Sequence, residues 1–370
     1  MKRKISKITS FLLFIATVFV MFSCDKEEGK TDESSLAAID ETPKGNVNLI
    51  SENTQGIYVL CEGLYGHFNS ALDFYDTQTK TYIQDAFNQI NAIGLGGTAN
   101  DMIKVGDWLF IVVTDDAMVR VVNSKNMNVY KRFQIVNSQG VNRQPRHLVH
   151  YNGNVFVSCF DGTVVKINVN TMKIDGVLST QGRNPEGIAI NNGKLFVANS
   201  GGLGYPNYDK TVSVIDAATF TLEKVIEVGE NPTQIQIFGN DVYVLSMGDY
   251  SKLPLLTKIS ATNYDVVDTM SIKATEIKVY GNYLYYFYKD YAQNEISLSK
   301  MNLTTMQQET FADVPKEMKM PYKISITDDI VYITDAKDYT TSGIVFAFDL
   351  NGVLQYQIKT SLNPNTVIVR

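Results

Sequence analysis

The stretch that decides the fold is residues 184–229, which read NPEGIAINNGKLFVANSGGLGYPNYDKTVSVIDAATFTLEKVIEVG. Four short runs rich in Val, Ile and Phe are separated here by Asn, Gly and Asp, and no apolar stripe at helical spacing interrupts them. Apolar runs of this length between turn residues are typical of β-strands. The stretch therefore predicts four consecutive antiparallel strands, joined by two tight turns and one long loop.

The same unit recurs along the chain with a period of roughly 40 to 50 residues. A proline that opens the first strand recurs at Pro145, Pro185, Pro232, Pro321 and Pro364. Runs that match the second strand occur at 57–59, 109–111, 155–157, 195–197, 242–244, 284–286 and 331–333. Repeats of four short strands at this period are typical of β-propellers. We therefore predict an all-β, seven-bladed β-propeller of four-stranded antiparallel blades.

Closure of the ring is predicted from the two ends of the repeat array. The first copy has no strand pattern directly before Ile57, whereas residues 363–368 have the first-strand pattern with no further unit after them. A strand contributed by the C-terminus would complete the first blade and remove two exposed sheet edges. We expect the C-terminal strand to pair into the first blade.

The N-terminal residues predict an export signal and a lipid anchor. Four cationic residues precede an apolar core at 11–22, which is too short to span a bilayer. Ser23-Cys24 resembles a bacterial lipobox, so lipidation of Cys24 is predicted; the alternative is a secretory signal with a chance cysteine. The acidic run at 25–28 resembles the surface-export signal of Bacteroidota lipoproteins. We expect a signal peptide at 1–23, an anchor and flexible acidic tether at 24–55, and a propeller at 56–370, displayed on the outer membrane.

Charge and cysteine content narrow the range of possible functions and partners. The formal net charge is −6, and removal of the four cationic residues of the leader takes it to −10. Nucleic-acid binding requires clustered Lys and Arg, and the chain contains no such run, so we expect no nucleic-acid partner. Cys61 and Cys159 each follow a predicted strand, at 58–60 and 156–158, and are predicted to be buried thiols rather than a disulfide. No spacing of Cys or His predicts a metal site.

Candidate ligand-binding residues collect on one predicted face of the propeller. Tight turns should share one face, whereas the long loops between second and third strands should share the other face with the connections between blades. Long loops are often functional, and exposed tyrosines offer apolar area and a hydroxyl, although some would only pack loop against loop. The loops carry Tyr65, His67, Phe68, Tyr205, Tyr208, Tyr250, Tyr288, Tyr291 and Tyr339. The connections add Asn100, Asp101, Arg143, Arg146, His147, Arg183 and Glu186.

Catalysis is the less favoured hypothesis. Some propellers are lactonases, in which carboxylates and an asparagine hold a divalent metal. Glu62, Asn100, Asp101 and Glu186 could form such a cage, but their spacing has no specificity. The sequence has no phosphate-binding loop, zinc spacing or nucleophile elbow. We predict no catalytic residue, no metal and no cofactor.

A resemblance to a known family predicts the class of ligand that the protein binds. Residues 58–63 (YVLCEG) and 69–76 (NSALDFYD) resemble the opening blade of the YncE-like (DUF5074) surface propellers of Bacteroidota, with Cys61 where Asn is usual. The segment 184–199 is similar to their YVTN-type repeat. The group includes the BtuG-type lipoproteins, which bind cobalamin and related corrinoids and pass them to a TonB-dependent outer-membrane transporter. The resemblance implies the same ligand and partner here. The alternatives are binding of a glycan or another protein and, less favoured, a metal-dependent lactonase.

Overall fold

The computed structural model describes residues 38–370, so the predicted leader and Cys24 lie outside the described residues. Seven sheets of four strands each form the blades of a ring, and one sheet carries an additional strand. Nearly all of the regular structure is β-strand, as predicted. Within 38–370 no helix is both long enough and apolar enough to cross a membrane.

The first four blades follow one another along the chain. A short strand β1 (Ala38–Asp40) precedes blade 1, which contains β2 (Gly56–Cys61), β3 (Ala71–Asp76) and β4 (Tyr82–Ile83). Blade 2 contains β5 (Ala99–Val105), β6 (Trp108–Val113), β7 (Met118–Asn123) and β8 (Val129–Gln134). Blade 3 contains β9 (Pro145–Tyr151), β10 (Asn154–Cys159), β11 (Thr163–Asn168) and β12 (Lys173–Ser179). Blade 4 contains β13 (Pro185–Asn191), β14 (Lys194–Asn199), β15 (Thr211–Asp216) and β16 (Thr221–Glu227).

The remaining three blades complete the ring. Blade 5 contains β17 (Pro232–Phe238), β18 (Asp241–Ser246), β19 (Leu255–Ser260) and β20 (Val266–Ser271). Blade 6 contains β21 (Glu276–Tyr280), β22 (Tyr283–Asp290), β23 (Glu295–Asn302) and β24 (Gln308–Ala312). Blade 7 contains β25 (Pro321–Thr327), β26 (Ile330–Asp335), β27 (Ser342–Asp349) and β28 (Leu354–Leu362), and the last strand is β29 (Pro364–Val369).

The predicted ring closure is confirmed. Strand β29 pairs antiparallel with β2, with Val367 opposite Val59 and Ile368 opposite Tyr58. Blade 1 therefore has the order β29-β2-β3-β4, with its first strand from the C-terminus and the other three from the beginning of the ring. Neighbouring first strands contact one another all the way around the ring and line a central channel.

The two faces differ as the sequence predicts. First and second strands are joined by tight hairpins, such as the one in which Asn192 and Gly193 have φ values of 48° and 77°. Two consecutive positive φ angles are the signature of a type I′ turn, which matches the twist of a hairpin and favours Asn-Gly. We call this side the turn face. The opposite side, with the loops between second and third strands and the connections between blades, is called the loop face.

The hydrophobic core is divided among the interfaces between blades. Seven clusters of buried apolar side chains occur in the described part of the chain, and each one lies between two neighbouring blades. Cys61 and Cys159 are buried free thiols within two of these clusters, as predicted. Because every blade needs both neighbours to bury its faces, the stability of the ring depends on its closure.

The flexible tether predicted for 24–55 is wrong in its second half. Strand β1 pairs with β8 at the outer edge of blade 2 and covers that edge. The Glu41 carboxylate then lies 3.4 Å from the guanidinium of Arg120, which is buried, and Ile50 packs into the core between blades 1 and 2. A buried ion pair and a buried isoleucine hold 38–55 on the ring, and neither is visible in a composition that is polar overall.

A short helix is the other departure from the sequence-based expectation. Helix α1 (Ala86–Asn91) lies in the connection between blades 1 and 2, with Asp85 as its N-cap. Phe87 and Ile90, three residues apart, bury their side chains in the interface between these blades. The helix has fewer than two turns, so it produces no apolar periodicity long enough to be recognised.

Candidate functional site

Six of the seven first strands begin at the loop face with an irregularity that turns side chains into the mouth of the channel. The residue before the opening proline has a positive φ in four blades: 54° at Gln144, 48° at Asn184, 55° at Asn231 and 54° at Asn363. The strand register then shifts immediately, as in β13 and β17. A β-bulge re-aims the side chains that follow it. The one or two residues after the opening position therefore lie at the channel mouth.

These positions form a set of polar side chains that we call the mouth ring. Every blade contributes at least one member, and six of the blades do so from the beginning of the first strand. Blade 1 contributes from the residue that directly follows its second strand. The members, in chain order, are Glu62, Asp101, Arg146, His147, Glu186, Gln234, Glu276, Tyr322 and Lys323.

One half of the mouth ring joins blades 2, 3 and 4. The Arg146 guanidinium donates two hydrogen bonds to the two carboxylate oxygens of Glu186, each at 3.0 Å. The His147 ring lies between two carboxylates, with Nδ1 at 3.2 Å from Asp101 and Nε2 at 3.4 Å from Glu186. Bidentate Arg–carboxylate pairs are among the strongest and most directional polar contacts in proteins. This half of the ring is consequently a rigid, charge-balanced cluster.

The pKa values in this half follow from that pairing. Burial alone would raise the pKa of the Glu186 carboxyl, but Arg146 and His147 outweigh burial and lower it to about 2. Burial likewise opposes ionisation of Asp101 and His147. Their mutual hydrogen bond and attraction nevertheless lower the pKa of Asp101 and, together with Glu186, raise that of His147. The charged forms of all four residues stabilise one another.

The other half of the mouth ring joins blades 5, 6, 7 and 1. Its buried carboxylates are less completely paired with positive charges. Gln234 Nε2 donates to Glu276 at 2.6 Å, and Lys323 Nζ lies 3.4 Å from the same carboxylate oxygen. The Tyr322 hydroxyl donates to Glu62. Burial raises the pKa of Glu62 and of Glu276, and their cationic neighbours only partly offset this effect. These two carboxyls therefore hold their protons more readily than Glu186.

A rim of exposed aromatic side chains surrounds the mouth ring on the loop face. Among the described residues, every large hydrophobic side chain that is at least 60% exposed lies in a loop between a second and a third strand. These loops belong to blades 1, 4, 5 and 6, whereas the corresponding loops of blades 2 and 3 are short. The side chains are Tyr65, Phe68, Leu203, Tyr205, Tyr250 and Tyr291.

The channel is a cavity of about 490 Å³ that includes part of the mouth ring in its lining. It is lined by residues of the first strands of all seven blades, from the loop face towards the turn face. Cavities of roughly 300–1,000 Å³ commonly accept small molecules. The protein thus offers a concave polar centre within a rim that carries exposed aromatic groups.

Comparison with known proteins assigns the family. The model of the family described as "Domain of unknown function (DUF5074)" matches residues 55–288, more than half of the chain. The chain belongs to the DUF5074 family. No curated protein matches it.

Solved structures with the same fold are distant in sequence from this DUF5074 chain. A hydrazine synthase of Kuenenia stuttgartiensis has a TM-score of 0.60 at 15% identity, and the match covers 74% of this chain and 95% of that one. A quinoprotein alcohol dehydrogenase-like protein of Bacteroides thetaiotaomicron has a TM-score of 0.60 at 16% identity, with 85% and 79% covered. A proposed 6-phosphogluconolactonase of Bacteroides uniformis has a TM-score of 0.62 at 10% identity, with 86% and 100% covered. At these identities the likeness shows the propeller fold alone.

The structure of this DUF5074 protein brings some of the predicted site residues together. Asp101, Arg146, His147 and Glu186 form one half of the mouth ring, and buried Asn100 lies next to Asp101. The rings of Tyr205 and Tyr208 are 6.0 Å apart in the long loop of blade 4. Tyr291 and Tyr339 lie near each other in the loops of blades 6 and 7, and burial together with the neighbouring Tyr291 raises the pKa of Tyr339 to about 12. Tyr250 lies near Tyr208, and the exposed side chains of Tyr65, His67 and Phe68 lie on the blade 1 part of the loop face.

Other predicted site residues have evident structural contacts. Arg143 is buried and pairs with Asp161 at 2.6 Å in blade 3. The Arg183 guanidinium donates to the backbone carbonyl of Asn207 at 2.9 Å and supports the long loop of blade 4. Tyr288 is half-buried within β22 and does not belong to the exposed rim. These contacts position loops of the DUF5074 ring.

Four members of the mouth ring were not among the residues predicted from sequence. Gln234, Glu276, Tyr322 and Lys323 lie at the beginnings of the first strands of blades 5, 6 and 7. A signal for three of them was present, because Gln234, Tyr322 and Lys323 follow the recurring proline by one or two positions, like Arg146, His147 and Glu186. Aligning the repeats on the proline would have identified them.

The geometry gives no support to a metal cage at the predicted lactonase positions. Glu62 accepts from Tyr322, Asp101 accepts from His147, and Glu186 is occupied by Arg146. Over residues 38–370, no group of three or more His, Cys, Asp or Glu side chains is arranged to hold a metal ion.

A pH titration is expected to show that His147 stabilises the folded DUF5074 ring when protonated. Because its folded pKa is raised, its contribution is complete below about 6.5 and is lost as the pH rises through the raised value. Glu186, with its lowered pKa, contributes above about 4.5 and loses that contribution as the pH falls towards 2. The charged groups that face the His147 ring are Asp101, Glu186, Glu62, Glu276 and Lys323.

The measurement is urea unfolding of wild type and His147→Gln between pH 5 and pH 9. We expect His147→Gln to lower the free energy of unfolding by roughly 1–3 kcal/mol at pH 6, with the difference shrinking at high pH. His150→Gln is the matched control, because His150 is exposed on the same strand. A difference that grows with pH, or one equal to that of the control, would contradict the assignment.

Proposed function

We propose that this protein is a surface lipoprotein that captures a corrinoid on its loop face and delivers it to a TonB-dependent outer-membrane transporter. The observation that supports this proposal most directly is the confinement of the most exposed aromatic side chains to the loops around the channel mouth. Soluble proteins rarely present several such groups on one face unless that face binds something. The BtuG-type proteins that the sequence resembles bind cobalamin and supply the ligand class.

The two parts of the loop face suit the two kinds of surface on a corrinoid. A corrinoid has apolar ring edges and many amide side chains. The aromatic rim offers flat apolar contacts, each with a hydroxyl in the case of tyrosine. The mouth ring offers donors and acceptors that are already oriented by their mutual hydrogen bonds, so ligand binding would not have to order them. Binding on this face needs no bond chemistry, and the proposal includes none.

We expect the ligand-binding site to be deepest beside the blades whose loops between second and third strands are long. The longest of these loops belong to blades 1, 4 and 5, at residues 62–70, 200–210 and 247–254, whereas the loop of blade 6 (291–294) is as short as that of blade 2 (114–117). Blades 2 and 3 carry short loops, and their first strands hold Asp101 (blade 2) and Arg146 and His147 (blade 3). A large ligand could thus contact the aromatic rim on one side and the charged half of the mouth ring on the other.

Isothermal titration calorimetry with cyanocobalamin tests the proposal. We expect binding to wild type, and we expect the triple change of Tyr205, Tyr208 and Tyr250 to Ala to weaken it by roughly 2–4 kcal/mol, as for aromatic anchors of binding sites. These three residues lie close enough for Tyr250 and Tyr205 to contribute to the raised pKa of Tyr208.

Tyr151→Ala provides the matched control for that triple variant. Tyr151 ends β9 at the turn face and is itself 38% exposed, so its removal deletes an exposed aromatic group from the opposite side of the ring. We expect no change in affinity for Tyr151→Ala. Absence of heat with wild type at micromolar protein would remove the corrinoid proposal. Equal losses in the triple variant and the control would move the site away from the loop face.

A further inference from the structure

The central channel has a charge balance opposite to that of the whole chain. The chain carries a formal net charge of −6. The channel is nevertheless lined by three lysines, Lys104, Lys278 and Lys323, and by only two carboxylates, Asp101 and Glu276. An excess of one charge sign inside a low-dielectric cleft concentrates ions of the opposite sign.

Both carboxylates of the channel are already occupied by donors from the protein. Asp101 accepts from the backbone amide of Leu148 at 3.0 Å and contacts the His147 ring at 3.2 Å. Glu276 accepts from Gln234 Nε2 at 2.6 Å. The Leu148 amide and the Gln234 side chain are neutral, so both carboxylates keep their negative charge and offset two of the three lysines.

The lysine side chains, in contrast, have few hydrogen-bond or ion-pair partners. Within residues 38–370, the one ion pair of Lys323 Nζ is with Glu276 at 3.4 Å, longer than the roughly 2.7–2.9 Å of a charge-assisted hydrogen bond. Over the same residues 38–370, neither Lys278 nor Lys104 makes an ion pair or a side-chain hydrogen bond. Lysine ammonium groups carry three donors each, so the channel presents an excess of cationic donors.

Neutral groups in the channel add to this excess. The Thr233 hydroxyl is buried and has no hydrogen-bond partner among the described residues. The Gln236 side chain accepts from the backbone amide of Val279 at 3.2 Å through its oxygen, which leaves its amide nitrogen for another acceptor. A buried hydroxyl without a partner is uncommon in folded proteins and requires an explanation such as a bound molecule.

We propose that the channel is a binding site for a small multivalent oxyanion, held by Lys278 and Lys323. The cavity of about 490 Å³ has room for a polycarboxylate or a phosphate. Two anionic oxygens could each accept from one ammonium group, and neutral donors such as Thr233 could satisfy further oxygens. This site shares Lys323 with the mouth ring, but anion binding here does not require that the loop face binds a corrinoid.

Calorimetric titration of the purified full chain with citrate and, separately, with inorganic phosphate tests this proposal. Sodium chloride keeps the ionic strength constant, so that general screening is the same throughout. We expect at least one of the two anions to bind with a Kd of about 1 mM or tighter. Binding of citrate alone would identify a carboxylate ligand, and binding of phosphate would identify a phosphate-type ligand.

Lys278→Gln is the decisive variant, because Lys278 supports no ion pair whose loss would disturb the fold. We expect it to weaken anion binding about tenfold or more, the effect of one hydrogen bond to a charged group. Lys173→Gln is the matched control, since it makes the same change of charge at an exposed position in β12 of blade 3. We expect wild-type affinity for this control.

Three results would overturn the proposal. These are the absence of binding for both anions, an unchanged affinity in Lys278→Gln, and an equal loss in Lys173→Gln and Lys278→Gln. The titrations contain no corrinoid, and cyanocobalamin is titrated without added citrate or phosphate. Failure of one proposal is therefore measured separately from failure of the other.

Discussion

Removal of residues 363–370 is expected to abolish the cooperative unfolding of the ring. These residues contain β29, the first strand of blade 1, in which Val367 and Asn365 are almost fully buried. Without β29, strand β2 would expose an unpaired edge, and blades 1 and 7 would lose part of their shared core. The loss should approach the whole stability of a folded domain, about 5–15 kcal/mol.

Circular dichroism during heating measures this effect. Wild type should show one sharp transition, and the truncated chain should show a broad transition or none. A synthetic peptide with the sequence of 363–370 serves as the control, because added in excess it can pair with β2 and should restore part of the signal. A truncated chain that unfolds cooperatively at the wild-type temperature would show that ring closure contributes little.

Asp73→Ala is expected to be the most destabilising single substitution considered. The carboxylate of Asp73, in β3, is fully buried at the junction of blades 1 and 7. It accepts from the amide and hydroxyl of Ser361 in blade 7, at 2.8 and 2.9 Å, and from the amide of Asp85 at 2.7 Å. The Tyr82 hydroxyl and the Cys61 thiol also donate to it. One acceptor thus satisfies donors from both sides of the seam.

Removing that acceptor leaves several buried donors without partners. Each unsatisfied donor costs about 1–3 kcal/mol, so we expect Asp73→Ala to lower the free energy of unfolding by at least about 4 kcal/mol. Asp76→Ala is the matched control, since Asp76 ends the same strand and accepts from two backbone amides in an exposed turn. We expect about 1 kcal/mol for the control. Urea unfolding of the two variants compares them, and similar losses would contradict the role assigned to Asp73.

The propeller could be predicted because its determinants are local and repeated. Each copy carries its own turn residues and apolar runs, so a weak signal in one copy is supported by six others. Pro364 was recognised as part of a first strand only because Pro145 and Pro185 have the same context. The placement of β29 against β2 then followed from the number of strands that blade 1 lacked.

The structure departs from the sequence-based predictions where one contact between residues distant in the sequence decides the local structure. Glu41 resembles any residue of an acidic linker until Arg120 is known to face it. In the same way, Lys323 and Glu276 are ordinary strand residues in the sequence, and only the curvature of the ring brings them together. The register shifts that turn such side chains into the channel are not visible in the alternation of apolar and polar residues.

Strand β1 fixes where the chain leaves the ring towards its N-terminus. Ala38 lies opposite Phe133, near the end of β8 that reaches the loop face, and the chain then runs towards the turn face. With the proposed lipid on Cys24, the residues between Cys24 and Ala38 can span at most about 50 Å, at about 3.5 Å per residue. If Cys24 carries the proposed lipid, the chain from the anchor therefore joins the ring at the outer edge of blade 2, on the side of the loop face.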